Sequence, residues 1–221
     1  MQFSDILAST IHDIKNSLSM ILNVLEQLTE GNDIQQWNPT QINHLKHETR
    51  RANDNLIQLL ILYKQDIGQL VPHITEYNLD EFFQEVVAEN QSMATSRQVE
   101  LGYRCEPDLS GYFDADLVRG VLTSALGNAF RYTRDQLLMT AEDRDGWLVI
   151  ALEDNGRGYP QRMLECQTAD SGEGFDFQRT GLGLYFAFLV AALHSNRDRK
   201  GFIRIENEGT LGGGRFSLWL P

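Results

Sequence analysis

From Leu7 the apolar positions run Leu7, Ile11, Ile14, Leu18, Ile21, Leu25 and Leu28, stepping alternately by four and three residues. That spacing keeps one stripe of a long helix apolar. After Gly31, Asn38 and Pro39 offer a helix cap and a first-turn proline, and a second stripe follows at Ile42, Leu45, Thr49, Ala52, Leu56, Leu59 and Tyr63. The two stripes predict a helical hairpin over residues 1–70. A lone hairpin buries one stripe per helix, so two copies pairing into a four-helix bundle, a homodimer, is the arrangement expected.

Around Gly68 to Pro72 the heptad spacing stops, and Asn78 with Glu81 forms a capping pair for a shorter helix through about Ala94. Farther on, strand-like runs (Val99 to Cys105, Leu137 to Ala141, Trp147 to Glu153, Phe202 to Glu206, Arg215 to Leu220) mix with helical ones at about Asp116 to Tyr132 and Leu182 to Leu193. This mixture predicts an α+β layer over residues 71–221. Ile203, Ile205, Phe216, Leu218 and Leu220 alternate with polar or exposed positions, as in antiparallel strands covered on one face.

Charge narrows the function classes. With 31 acidic and 19 basic residues in 221, the net charge is −12, which disfavours binding to nucleic acid. The two cysteines, Cys105 and Cys166, are too few for a disulfide framework or a cysteine zinc site and read as packing residues. No stretch approaches the roughly 18 to 20 apolar residues of a membrane span, and Asp5 stands where a secretory signal would be basic. A cytoplasmic chain is expected.

Candidate chemistry begins in the first stripe. Ile11 and Ile14 point into the bundle, so His12, one step off, faces water; Asn16 shares its face and Asp13 reaches the ring from the side. A neutral imidazole attacks phosphorus through one nitrogen when the other donates its proton to an acceptor such as Asp13, and the Asn16 amide would orient a water or a phosphoryl oxygen. Taken by itself, the run reads first as a solvated surface histidine beside two ordinary polar residues. Three downstream segments change that balance. Asn128, Arg131 and Tyr132 place a carboxamide, a cation and a flat ring on successive turns of one helix, a face suited to metal and phosphates. Asp154, Gly156 and Gly158 put an acid at a strand end before a tight glycine turn, where it would accept from the amino group of adenine. Gly181, Gly183 and Leu184 open an apolar helix whose N-terminal N–H groups receive polyphosphate. Between the last two, Gln167 to Arg179 mixes glycine with Asp170, Glu173 and Asp176, the composition of a lid.

In this order the motifs resemble the catalytic core of two-component sensor histidine kinases: a dimerisation and histidine-phosphotransfer hairpin, then a GHKL-type ATP-binding domain with the α/β-sandwich Bergerat fold. The resemblance covers essentially the whole chain. It implies that His12 is the phospho-acceptor, Asp13 the acid assisting transfer and Asn16 the residue used in dephosphorylating the partner. It further implies Asn128 as Mg²⁺ ligand, Arg131 in place of a phosphate-facing lysine, Asp154, Gly156 and Gly158 around adenine, Phe175 or Phe177 in the lid, and Arg179, Gly181, Gly183 and Leu184 beside the phosphates. Gly212 to Phe216 resembles the family's closing glycine segment. The expected cofactors are ATP and Mg²⁺, the expected partner a response regulator receiver domain, and the sensory input a separate protein or missing sequence.

Ser124 stands where the family has a first asparagine and keeps an oxygen in reach of the metal, and Ser17 replaces a proline after the phosphatase residue. Two rival readings are an ATP-independent histidine phosphotransfer module on the same fold and a serine kinase of the anti-sigma-factor type. The retained glycine motifs oppose the first and the heptad hairpin the second. His44 and His47 read as surface or regulator-facing residues, Trp147, Trp219, Tyr185, Phe186 and Phe188 as core, and His194 as a partner of a helix dipole.

Overall fold

The computed structural model describes residues 11, 14–16, 18–22, 39–165 and 182–221. The chain divides into two compact units, Met1–Leu70 and Val71–Pro221. In the first, residues 14–16 and 18–22 are helical, and helix α1 spans Pro39–Asp66. Gly68 ends α1 in the left-handed region at φ 68°; its N–H donates to the Gln65 carbonyl at 3.0 Å and that of Gln69 to Lys64 at 2.8 Å. This paired closure satisfies carbonyls the helix itself leaves open. Along α1, Ala52 and Leu62 are buried and Leu45 and Leu59 half-buried, whereas Thr49, Leu56 and Tyr63 face outward.

In the second unit, strand β1 (Thr75–Asn78) pairs antiparallel with β3 (Ser110–Phe113). Helix α2 (Leu79–Arg97) leaves β1 through the cap expected from the sequence: Asn78 Oδ1 accepts from the Glu81 N–H at 3.0 Å. A five-stranded sheet has the order β2-β4-β5-β9-β8, built from β2 (Glu100–Arg104), β4 (Gln136–Arg144), β5 (Trp147–Asp154), β8 (Phe202–Glu206) and β9 (Arg215–Leu220). Only β2 and β4 run parallel, because helix α3 (Ala115–Tyr132) crosses between them. Helix α5 (Leu182–Leu193) packs on α3, and with α2 they cover one face. Met139, Ile150, Leu152, Phe216, Leu218, Ile203 and Ile205 point from the sheet into this core, against Leu122, Leu126, Phe186 and Val190.

Several elements have little signal of their own in the sequence. β1 and β3 have four residues each, and the hairpin of β6 (Ser195–Asn196) and β7 (Arg199–Lys200) and the turn α4 (Gln161–Leu164) are too short to show a period. Trp147 and Trp219 are not in the helix-covered core. The register turns them to the opposite face, where Phe202 lies 5.2 Å from each ring and Arg144, Arg199 and Arg204 lie over the indoles. Phe186 is buried, while Tyr185 and Phe188 are half-buried.

His194 is more than a surface charge at a helix end. It is 1% exposed; its Nε2 accepts from the Asp114 N–H at 2.9 Å and its Nδ1 donates to the Val190 carbonyl at 2.7 Å, which defines a neutral ring. Asp114 in turn caps α3 through the Leu117 N–H at 3.0 Å and accepts from the His73 N–H at 2.7 Å. Burial pushes the His194 pKa below its ordinary 6.5, against the opposing pull of the Val190 carbonyl and the Asp114 charge. The unfolded chain therefore takes up a proton that the folded one refuses, and stability falls as pH drops below 6.5 until the lowered folded pKa is passed. Thermal melts from about pH 7.5 to about pH 5.5 are expected to show this loss, and His194→Gln, which does not titrate, to flatten it.

Candidate functional site

Ile150, Leu152 and Asp154 share the helix-facing side of β5, so the strand delivers a carboxylate to the edge of an apolar core. Immediately after it, the Gly156 N–H donates to Asp154 Oδ1 at 2.7 Å. A Cβ at Gly156 would overlap the carbonyl oxygen of Tyr132, so the loop lies directly on the C-terminus of α3. Asn155 ties the same places from the other side. Its Oδ1 accepts from the Thr133 hydroxyl at 3.0 Å and from the N–H groups of Arg134, Asp135 and Gln136 at 3.1 Å, and its Nδ2 donates to Asp135 Oδ1 at 2.6 Å. Asn155→Ala leaves those N–H groups to water or to nothing, and urea unfolding is expected to show a loss of about 2 kcal/mol.

A cavity of about 290 Å³ opens beside Asp154. Its floor is apolar, formed by Leu152 and Phe216 from the sheet, Val121 from α3 and Ala187 from α5. One wall is the face of α3 that carries Ser124, Asn128 and Tyr132; the loop after β5 supplies Arg157, Gly158, Tyr159 and Pro160, and α4 adds Arg162 and Met163. Gly183 and Leu184 bring the first turn of α5 to its edge, where N–H groups without partners inside the helix are found. The helices meet closely there: a Cβ on Gly183 would stand 2.6 Å from Ser124 Oγ.

The polar rim is ordered. The Arg157 guanidinium lies 5.5 Å from the Tyr132 ring centroid. Asn207 Oδ1 accepts from the Tyr159 N–H at 2.7 Å and its Nδ2 donates to the Tyr159 carbonyl at 2.9 Å, fixing the backbone after Gly158. Burial first, and the Asp154 carboxylate second, raise the Tyr159 pKa well above its ordinary 10.0, so the phenol keeps its proton.

Of the residues singled out in sequence, Ser124, Asn128, Tyr132, Asp154, Gly158, Gly183 and Leu184 meet around this cavity, with Gly156 beneath its edge. Arg131 is exposed on α3 and is not among the lining residues. Asn16 is an exposed helical residue of the other unit. His12, Asp13, Arg179, Gly181, Phe175 and Phe177 lie outside the described residues. Sequence reasoning passed over Arg157, Tyr159, Arg162 and the scaffold role of Asn155; only the last left a signal, as an amide side chain in a turn habitually bonds nearby backbone. Among the described residues no group of three or more His, Cys, Asp or Glu side chains is arranged to hold a metal, and no helix is long and apolar enough to cross a membrane.

Comparison with known proteins agrees with this geometry. Residues 113–221 match the family model for histidine kinase-, DNA gyrase B- and HSP90-like ATPases. A probable sensor histidine kinase HK of Mycobacterium tuberculosis is 30% identical over 155 residues, covering 66% of this chain and 39% of the relative. Sensor histidine kinase TmoS of Ectopseudomonas mendocina is 25% identical over 99% of this chain and 23% of its own length. Adaptive-response sensory kinase SasA of Crocosphaera subtropica is 25% identical over 88% of this chain and 54% of its own. The chain thus spans only part of these relatives. Among solved structures, the Acinetobacter baumannii histidine kinase AdeS superposes with a TM-score of 0.65 at 17% identity, covering 95% of this chain and 96% of that one. Histidine kinase ThkA, solved in complex with response regulator protein TrrA, superposes with a TM-score of 0.63 at 18% identity, covering 98% of this chain and 61% of that one. At such identities the likeness is one of fold. Residues 113–221 thus match the family model for histidine kinase-, DNA gyrase B- and HSP90-like ATPases, in a chain similar to sensor histidine kinases along nearly its whole length.

Proposed function

We propose that the chain is an ATP-dependent histidine autokinase that passes the phosphoryl group from His12 to an aspartate of a response regulator and also dephosphorylates that regulator. The observation that carries the ATP-binding half is the Asp154 carboxylate, bonded to Gly156 and held at the edge of an apolar cavity that reaches the first turn of α5. A purine fits between Leu152, Phe216, Val121 and Ala187, with its amino group donating to Asp154. The phosphates extend toward Gly183 and Leu184, whose N–H groups and helix dipole favour anions. Asn128, with Ser124 one turn earlier, would hold Mg²⁺ together with phosphate oxygens and water, as this ion prefers few protein ligands. The metal supplies charge neutralisation on the transferring phosphoryl group. Arg179 and Gly181 are assigned to the phosphate side on the family resemblance, and Arg131, on the exposed face of α3, to the outer end of the polyphosphate.

In the other unit His12 attacks the γ-phosphorus through one ring nitrogen while Asp13 holds the proton on the other, the bond to the β–γ bridging oxygen breaks and ADP leaves, and Asn16 orients water for dephosphorylation of the regulator. Ile11, Leu18, Leu56 and Leu60 are 54%, 50%, 51% and 53% exposed in the single chain. Such stripes support a homodimer whose four-helix bundle covers them. The complex of ThkA with TrrA supports a receiver domain as partner, and the greater length of the curated relatives supports a sensory input from outside these residues.

The test is incubation of the chain with γ-labelled ATP and Mg²⁺. Acid-labile, alkali-stable label on the protein, transferable to a receiver aspartate, is the expected result. Label that is acid-stable would point to serine chemistry, and absence of both label and nucleotide binding to the ATP-independent phosphotransfer module.

A further inference from the structure

One residue before Asp154, β5 carries a second carboxylate, and strand alternation turns it to the opposite face. Glu153 is 2% exposed. Its Oε2 accepts from both the N–H and the hydroxyl of Thr210, each at 2.7 Å, and the Arg215 guanidinium stands 3.6 Å from its Oε1. Burying a carboxylate this deep is costly without such partners, so its bonds to Thr210 are hard to release. Thr210 belongs to the 207–214 loop between β8 and β9, and that loop meets Asp154 from behind. A Cβ on Gly213 would lie 2.6 Å from Asp154 Oδ1, and one on Gly214 2.9 Å from Oδ2. The Asp154 N–H also donates to the Gly214 carbonyl at 2.9 Å. Pinned at Thr210 and, through Asn207, to Tyr159, the loop leaves the Asp154 carboxylate little room to turn.

We infer that Glu153, acting through Thr210 and the glycine backbone of the 207–214 loop, is a positioning residue for the carboxylate that reads the nucleobase. The inference rests on the proposed role of Asp154 as acceptor for the amino group of adenine. Its consequence is selective. Loosening the loop weakens the hydrogen bond to the exocyclic amine and leaves phosphate contacts intact, so ATP suffers more than inosine triphosphate, which has oxygen in place of that amine.

The experiment is calorimetric titration of the whole chain with ATP and with inosine triphosphate, in the presence of Mg²⁺, with circular dichroism melts confirming the fold of each variant. The wild type is expected to prefer ATP. In Glu153→Ala that preference is expected to fall roughly tenfold with little change for inosine triphosphate. Thr210→Val, which keeps the backbone donor and the side-chain shape, is expected to lower it several-fold, and Thr210→Ser to restore it. Should Glu153→Ala fail to fold, Thr210→Val decides. Equal losses for both nucleotides, or an unaltered preference in Thr210→Val while Asp154→Ala abolishes it, overturn the positioning role alone. A wild type that binds both nucleotides equally overturns the base-reading role of Asp154 and this inference with it.

Discussion

A His12→Ala chain, incubated with γ-labelled ATP and Mg²⁺, is expected to bind nucleotide as the wild type does and to carry no acid-labile phosphate. The substitution removes the proposed nucleophile, so the expected loss is of the whole reaction rather than a fraction of it, roughly a hundredfold or more in label. Nucleotide binding survives because Asp154, Asn128 and Gly183 lie in the compact unit Val71–Pro221 and His12 in Met1–Leu70. Residual acid-labile label at the wild-type level would move the phospho-acceptor to another histidine, with His44 and His47 of α1 next in line. Parallel binding and labelling measurements separate this from a folding defect.

The second large effect is expected from one methyl group. Gly156→Ala places a carbon on the carbonyl oxygen of Tyr132, with Asp154 Oδ1 only 2.9 Å away. Neither neighbour yields easily, because Tyr132 ends α3 and Asp154 is bonded to the backbone of the same loop. The loop must therefore move, and with it the Asp154 carboxylate and the rim formed by Arg157 over Tyr132. Overpacking of this kind costs about 1–3 kcal/mol of stability, and ATP binding is expected to weaken by roughly a hundredfold as base recognition is lost. Thermal melts and nucleotide titration check the two parts separately; near-native affinity would show that the loop has another conformation competent to bind.

Legibility in the sequence followed the range of the interactions involved. The cap of α2 at Asn78, the extent of α5 and the strands β8 and β9 depend on residues a few positions apart, and their patterns predicted them closely. The glycine motifs were legible for a related reason: each must follow a strand or open a helix, and each does so in an order shared with a family. Sheet order was not legible. Nothing within β2 or β4 states that they pair in parallel, because that depends on α3 crossing between them. The place of Trp147 and Trp219 shows the same limit. An aromatic residue is apolar enough for either side of a sheet, and only the pairing of β5 with β9 and of β9 with β8 turned both rings away from the helices, Trp219 stacked on Phe202 and Trp147 edge-on to it, beneath arginines.

The sequence by itself determined the apolar stripes of residues 1–70, the α+β character of residues 71–221 and which side chains are candidates for the chemistry, since these follow from local periodicity and from residue types. Tertiary structure alone decided the rest. It closed Gly183 onto Ser124, laid Gly156 under Tyr132, seated His194 as a neutral link between Val190 and Asp114, and left Arg131 outside the cavity lining. It also gave the neighbours Glu153 and Asp154 opposite tasks, one carboxylate buried against Thr210 and the other lining the cavity. Such outcomes depend on which distant segments share a surface, and burial changes the proton affinity and the hydrogen-bond needs of a group only after that surface exists.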